Sequence, residues 1–282
     1  MTQLINPQKF TTTVDLLRSF FLAKGFLEVH TQNRLSILAA CEDPFNVATY
    51  EYAGETWPLP QTGQMWLEHE LLSKPDSKGF FCVSTSYRQE PNAIPGRHDI
   101  IFPMFEFEMP GDINDLKSME YELCEYLGFG GFGDIVAKPY SEWQKHYGLS
   151  SDTEMEAEHE TKMYEEFGSV MITDFPEMTS PFWNMSRNGD GTSKKIDVIL
   201  GGMETIGSAE RSCDVYQMKE TFNTITDGAY SNLLFELFGK DRVEAELEKF
   251  LEFDFFPRVG GGIGMTRMIS ALEKNELLEK AA

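Results

Sequence analysis

Basic residues are in short supply: 24 Lys and Arg face 46 Asp and Glu, leaving a formal net charge of −22 over 282 residues. A surface of that sign repels a dense row of phosphates and argues against extended contact with DNA or RNA. Cysteine is scarce too, with only Cys41, Cys82, Cys124 and Cys213, too far apart for any CxxC pair. That spacing excludes a zinc ribbon or a dithiol redox motif and fits free thiols in a reducing compartment. The five histidines form no HExxH or similar pattern, so a histidine-based metal site is not expected. No apolar run approaches the ~18 residues of a membrane span, and the start MTQLINPQKF lacks a basic segment followed by an apolar one. The phosphate loop GxxxxGK followed by Ser or Thr is missing as well. The expectation is a cytoplasmic protein with no membrane and no DNA partner.

What is present is ample core material: 41% hydrophobic residues and 13% aromatic, 22 of them Phe, enough for a sizeable domain. Phe10, Val14, Leu17 and Phe21 recur at helical spacing after Pro7, and Gly25 suits a stop. Phe26 to His30 alternates like a strand, and Gln64 to Leu72 is helix-like. Segments 80–90 and 102–109 alternate with period two across PNAIPGRHDII, which reads as a long hairpin. Asp112 suits the cap of a helix to about Leu127, and the acid-rich stretch 151–166 reads as a solvated helix. Strands are expected at 168–173, 182–187, 195–200 and 203–206, with a turn at Asn188–Gly191. Helices are expected around 229–253 and 264–275, separated by the glycine-rich PRVGGGIG. Strands without regular intervening helices predict an α+β fold, an antiparallel or mixed sheet flanked by helices. With no repeat and no linker, residues 1–282 read as a single domain.

Three constellations carry chemistry. Arg88 and Glu90, two apart near a strand end, point to one face, so that one can hold a phosphate while the other accepts from an adenine amino group; Phe102 on the return strand can stack on the base. The same residues also suit an exposed hairpin with surface ion pairs. Gly260 to Gly264 lets backbone approach a ligand closely, and Arg267, entering the following helix, can clamp a phosphate. Asp197 and Glu204 lie seven apart, and Arg211 seven beyond Glu204. Two carboxylates beside a triphosphate suit Mg²⁺, although read alone they are ordinary surface acids.

In this order the segments resemble the catalytic domain of a class II aminoacyl-tRNA synthetase of the asparagine/aspartate branch, from about residue 15 to 272. YRQE at 87–90, Arg97-His98 and FPMFEFE at 102–108 resemble the family's second motif, and GGGIGMTR at 260–267 its third. TGQMWLE at 62–68, ITDFPEMTSPFW at 172–183 and ETIGSAER at 204–211 resemble intervening segments of the branch. The resemblance implies that Arg88 holds the α-phosphate, Glu90 and Phe102 the adenine, Arg97 and His98 the outer phosphates, and Arg267 the γ-phosphate beside Gly262 and Gly264. It assigns Mg²⁺ to Asp197 and Glu204. Glu42, Gln64 and Glu106 fall to the amino acid, with Arg211 reading an Asp-like or Asn-like side chain. The implied reaction is attack of the amino-acid carboxylate on the α-phosphorus of ATP, with pyrophosphate leaving.

Several positions depart from the family pattern. Gln32 stands where the dimer-forming strand has a proline, Ile101 where a glutamate precedes the stacking Phe, and Leu67 where aspartate-specific enzymes have a lysine. Arg258 replaces a histidine, which reads as an extra arginine near the phosphates. The chain reaches its first helix almost at once, so a free-standing domain without an anticodon-binding barrel is expected, and with the −22 charge this counts against tRNA as a partner. By resemblance the protein is a homodimer. Ammonia-dependent asparagine synthetases are free-standing domains of this kind; a tRNA ligase, an aminoacyl transferase to a protein or small molecule, and a non-catalytic amino-acid or nucleotide sensor remain alternatives.

Overall fold

Side chains that alternate between apolar and small or charged along residues 80–110 and 192–210 give each strand one greasy face and one polar face. The computed structural model describes residues 4–32, 35–38, 44–90, 99–177, 179 and 182–278. Its strands are β1 (Leu27–Glu28), β2 (Thr49–Tyr52), β3 (Glu55–Pro58), β4 (Phe80–Tyr87), β5 (Ile101–Pro110), β6 (Val136–Pro139), β7 (Val170–Pro176), β8 (Thr192–Leu200), β9 (Met203–Glu210) and β10 (Arg258–Gly264). The helices are α1 (Pro7–Ala23), α2 (Gln64–Ser73), α3 (Ile113–Leu127), α4 (Tyr140–His146), α5 (Ala157–Phe167), α6 (Val215–Thr224), α7 (Ala229–Phe238), α8 (Lys240–Leu251) and α9 (Met265–Lys274). Among these residues no helix is long and apolar enough to cross a membrane.

Eight strands form one sheet in the order β1-β4-β5-β10-β9-β8-β7-β6, with β2 and β3 a separate hairpin. Pairing is parallel for β1 with β4 and β6 with β7, and antiparallel between the rest. This is the mixed sheet flanked by helices that the sequence predicts.

One face of the sheet is apolar. Phe105 and Phe107 on β5, Ile196 and Val198 on β8, Ile206 on β9, and Val259 and Ile263 on β10 share a core with Leu17 and Phe21 of α1, Leu116 of α3 and Met268 of α9. Phe81 stacks on Phe105 with centroids 5.1 Å apart, and Phe21 lies 5.1 Å from both Phe105 and Phe107. The helices that supply this layer begin with conventional caps. Asn6 Oδ1 accepts from the amides of Gln8 and Lys9 ahead of Pro7, and Asp112 forms a capping box with Asp115 at α3.

The opposite face carries Glu106 and Glu108, Gly260 and Gly262, Gly207 and Ala209, and Lys195 and Asp197, placed side by side by the strand register. Helix α2 lies over part of this face, packing Leu67 and Leu71 on Phe80 and Cys82. Leu67 therefore fills a small core, at the position where the resemblance compares it with a binding lysine.

Four local expectations are corrected. PRVGGGIG, expected only as a glycine-rich stretch between two helical regions, is β10, in the middle of the sheet, hydrogen-bonded to β5 and β9. Glycine disfavours strands on its own, and crowding explains its presence here. A Cβ on Gly261 would fall 2.6 Å from Ser208 Cβ, one on Gly262 2.7 Å from Met104 Cε, and one on Gly260 inside the Glu108 carboxylate. Helix α5 starts at Ala157 rather than 151, because the Gln144 side-chain amide donates to the carbonyls of Ser150, Ser151 and Thr153 and holds that stretch in a turn. Residues 182–187 form no strand; they hook onto the sheet through single bridges, Met185 to Arg211 and Arg187 to Ser193. The helix expected over 229–253 is two, α7 and α8, broken at Gly239 with φ +86°. Elements β2, β3, β6, α4 and α6 have no counterpart in the sequence reading.

Candidate active site

A cavity of about 390 Å³ opens over the polar face of the sheet, lined by residues from α2, β5, β8, β9, β10 and α9 and from the segments that flank them. Its floor is main chain, because β10 has no side chains to raise there. Gly260, Gly262 and Gly264 all line it, and beyond Gly264 the N-terminal turn of α9 adds Thr266 and Arg267. A helix N-terminus beside an arginine is an arrangement suited to a phosphate.

At one side, Arg88 follows β4 and lines the cavity with Glu90 and Phe102. Its guanidinium stands 5.3 Å from the Phe102 ring centroid and 3.8 Å from the Glu90 carboxylate. Arg88 Nε is buried without a hydrogen-bond partner among the described residues, a donor that an anionic ligand would satisfy. At the other side, Arg267 Nη1 donates to the Glu204 carbonyl at 2.7 Å and lies 3.8 Å from the Glu204 carboxylate.

Gln64 and Arg211 meet beneath the cavity, where Arg211 Nη2 donates to Gln64 Oε1. The Arg211 guanidinium forks onto Glu108, with Nε and Nη2 each 3.2 Å from a carboxylate oxygen. Glu68, on α2, sits 3.8 Å from Arg211 and takes two hydrogen bonds from Arg258, at 3.0 and 2.7 Å, and one from Asn184 at 2.7 Å. These charged side chains are buried, and Arg258 is fully so, its guanidinium 4.8 Å from the Phe255 ring. The network thus pairs two arginines with two glutamates. Burial raises the Glu108 pKa, opposed by Arg211 and reinforced by Glu68. Among the described residues Gln64 Nε2 is buried without a partner, an amide donor next to Arg211.

Arg258 is therefore not near the phosphate-type end. It opens β10 and Gly264 closes it, which at the rise of a strand separates them by about 20 Å; its task is to neutralise Glu68.

Glu106 does not line the cavity. Fully buried, it accepts from Thr62 Oγ1, Ser84 Oγ and the Gly63 amide, the last at 2.8 Å. Burial raises its pKa, and those hydrogen bonds and the Arg88 charge oppose the rise. It fixes the start of α2 and with it Gln64.

Asp197 and Glu204 approach each other across Gly207. A Cβ on that glycine would stand 2.8 Å from Glu204 Oε1 and 3.5 Å from Asp197 Oδ1. Glu204 lines the cavity; Asp197 lies just behind, its Oδ1 buried without a partner among the described residues and its Oδ2 bound to Lys195 Nζ at 2.9 Å. Burial raises the Asp197 pKa, the Glu204 charge adds to the rise, and Lys195 opposes it. Among the described residues no group of three or more His, Cys, Asp or Glu side chains could hold a metal by itself. Glu42, Arg97 and His98 lie outside the described residues.

The sequence reading missed Lys195, Phe182, Asp99 and Thr62, all of which line the cavity. Lys195 carried a signal: it is two residues from Asp197 on an alternating strand and shares its face.

The family model of the class II tRNA synthetases (D, K and N) matches residues 6–282. No curated protein sequence matches the chain. Among solved structures, the asparaginyl-tRNA synthetase from Pyrococcus horikoshii complexed with asparaginyl-adenylate superposes with a TM-score of 0.78 at 19% identity, covering 98% of this chain and 66% of that one. The Entamoeba histolytica asparaginyl-tRNA synthetase in complex with asparaginyl-adenylate gives 0.75 at 16% identity, over 98% and 65%. The aspartyl-tRNA synthetase from Entamoeba histolytica gives 0.70 at 16%, over 98% and 56%. The chain thus spans between 56% and 66% of the length of these neighbours, and at such identities the likeness is one of fold.

Proposed function

The chain belongs to the class II tRNA synthetases of the D, K and N type, and from that premise we propose that its cavity activates the carboxylate of Asp, Asn or a close analogue with ATP. The product is an aminoacyl-adenylate and the leaving group pyrophosphate. The observation that carries the reading is that Arg88, Arg267 and the Gln64–Arg211 pair line one cavity.

ATP would lie along β10 with its adenine on Phe102 and its amino group toward Glu90. Arg88 would hold the α-phosphate, and Arg267 with the first turn of α9 the γ-phosphate. Gly262 and Gly264 leave room for the nucleotide against main chain. Arg97 and His98 would take the roles that the sequence resemblance assigns them on the outer phosphates, and Glu42 its role at the backbone end of the amino acid. Arg211 would donate to the oxygen of the substrate side chain, since a guanidinium suits either a carboxylate or an amide oxygen. Glu106 contributes through Gly63 and Gln64 without touching the substrate.

Attack on the α-phosphorus needs no protein nucleophile. The substrate carboxylate supplies the electron pair, the bond to the bridging oxygen breaks, and pyrophosphate carries the charge away. Alignment and charge neutralisation by the arginines are the protein's contribution. Glu204 and Asp197, whose Oδ1 has no partner among the described residues, would hold a magnesium ion arriving with ATP, and the ion would supply charge neutralisation to the departing pyrophosphate.

Amino-acid-dependent exchange of labelled pyrophosphate into ATP tests this reading, run as a panel of the twenty amino acids. Exchange with Asp or Asn is the expected result, and absence of exchange with all twenty overturns it. If Asp is active, asparagine formed on adding ammonia, or charged tRNA formed on adding tRNA, identifies the acceptor.

A further inference from the structure

Arg242, on α8, does not line the cavity, and none of the roles assigned above uses it. Its guanidinium grips the β2–β3 hairpin in three ways. Nη1 pairs with Glu55 Oε2 at 2.9 Å, Nη2 donates to the Thr56 carbonyl at 2.6 Å, and Cζ stands 4.4 Å from the centre of the Trp57 ring. Glu55 is exposed, so that ion pair contributes little by itself. The Thr56 carbonyl and the Trp57 ring are what tie the main chain of β3 to α8.

The chain that follows β3 is stiff. In Trp57-Pro58-Leu59-Pro60 each proline fixes its own φ and restricts the residue before it, so four successive residues have little freedom to absorb a displacement. Leu59 N donates to the Ala48 carbonyl at 2.7 Å, joining this leg to the one that enters the hairpin. Val47 anchors that entering leg in the core of α6, α7 and α8. Beyond the hairpin both legs meet the end of β4. The Pro60 carbonyl accepts from Tyr87 N and the Asn46 carbonyl from Gln89 N, each at 2.9 Å, and between them Arg88 N donates to the Ile100 carbonyl at 2.8 Å. The main chain on both sides of Arg88 is thus set by the legs of the hairpin. Gln64 is held differently, because Glu106 takes Thr62 Oγ1 and the Gly63 amide after the stiff run has ended.

We propose that Arg242 is a positioning residue for Arg88: through β3 and residues 57–60 it holds in place the arginine that meets the nucleotide, and so sets ATP affinity from outside the cavity while leaving the amino-acid end alone. The inference rests on the ATP-binding reading above and adds to it a residue that acts at a distance from the ligand.

Calorimetric titrations of the full chain with ATP in the presence of Mg²⁺, and separately with L-asparagine and L-aspartate, test it. Arg242→Met should weaken ATP binding by about fivefold or more, the lower end of couplings between separate sites. It should change the affinity for whichever amino acid binds by less than about twofold, within the scatter of independent sites. In Arg88→Met, itself weaker for ATP, adding Arg242→Met should cost less than about a further twofold, because the residue through which Arg242 acts is gone. Replacing Pro58 and Pro60 together by alanine keeps the Arg242 contacts and the residue 60 carbonyl but removes the stiffness, and should weaken ATP binding by about threefold or more.

Equal losses for ATP and amino acid in Arg242→Met, or ATP losses that multiply in the double variant, would mark a general loosening of the fold and overturn the inference. Unchanged ATP affinity in Arg242→Met would overturn it and leave the ATP reading intact, whereas no ATP binding by the unaltered protein would sink both. Should Arg242→Met fail to fold, the proline pair decides: weakened ATP binding supports transmission through residues 57–60, and unchanged binding refutes it.

Discussion

Glu120 lies on the apolar side of the sheet, fully buried in α3, and replacing it with glutamine should change how stability depends on pH. Its Oε1 accepts from Ser208 Oγ at 2.6 Å, and its Oε2 has no partner among the described residues. Burial pushes its pKa from 4.5 to about 8, with the Ser208 hydrogen bond opposing and the Asp197 charge adding. In the unfolded chain the group ionises near its ordinary value, so above that pH the folded state binds more protons than the unfolded one. Stability from this group is thus fully present in acid and is lost as pH rises toward 8. Between pH 6 and 8.5 the loss is about 2.5 kcal/mol, from 1.36 kcal/mol per pKa unit. Glutamine does not ionise and can still accept from Ser208. Its amide NH₂ has no partner, which costs about 1–3 kcal/mol at every pH. The difference in unfolding free energy between Glu120→Gln and the unaltered protein should therefore shift by about 2–3 kcal/mol in favour of the variant from pH 6 to pH 8.5. The contribution from Glu108 is common to both proteins and cancels, and that from Asp197 cancels apart from its smaller coupling to Glu120. Urea titrations at five pH values, read by tryptophan fluorescence, measure it. A difference that stays flat across the range would refute the reasoning.

Arg211→Met should cost about 3–5 kcal/mol, because it leaves Glu108 and Glu68 with only Arg258; adding Glu108→Gln should recover much of that loss, as a double-mutant cycle in urea would reveal. With fold restored in this way, the pair should still bind ATP but discriminate less among amino acids in the exchange panel. Gly260→Ala should abolish folding, since its Cβ would strike the Glu108 carboxylate and the Phe107 carbonyl. Gly262→Ala meets only the mobile end of Met104, so it should fold, with a melting temperature within a few degrees, and lose ATP affinity as the cavity floor rises. Arg267→Ala should lower pyrophosphate exchange by about a hundredfold, the scale of an electrostatic clamp, without lowering the melting temperature by more than a few degrees.

The arginines of the cavity were legible because each sits in a contiguous motif whose order along the chain is itself informative. The hairpin of β4 and β5 and the helices α1, α2, α3 and α9 were legible for a related reason, as their periodicity and caps are local. Other features depend on neighbours that sequence does not display. A run of glycines carries no strand propensity of its own; β10 is held by its pairing with β5 and β9, and Glu108, Ser208 and Met104 leave no room for side chains there. Lys195 looks like one of two surface lysines until β8 is placed against Phe175 and Asp197. Arg258 was drawn to the phosphates by its nearness to the glycine run, and only the length of the strand separates the two. Segment 182–187 alternates like a strand, yet its carbonyls and amides bond to strand ends, as from Ser212 N to Asn184 O at 2.8 Å.

The buried set of Arg211, Glu108, Glu68 and Arg258 constrains how this pocket can change over generations. Each member's loss strands a charge, so a lineage moving toward a different substrate would have to alter two members almost together or pass through poorly folded intermediates. The positions open to gradual change are at the rim, where Phe182 and Lys195 line the cavity and lie outside that set. Diversification among close relatives should therefore be written first in those rim positions, while the four charges persist or disappear in pairs.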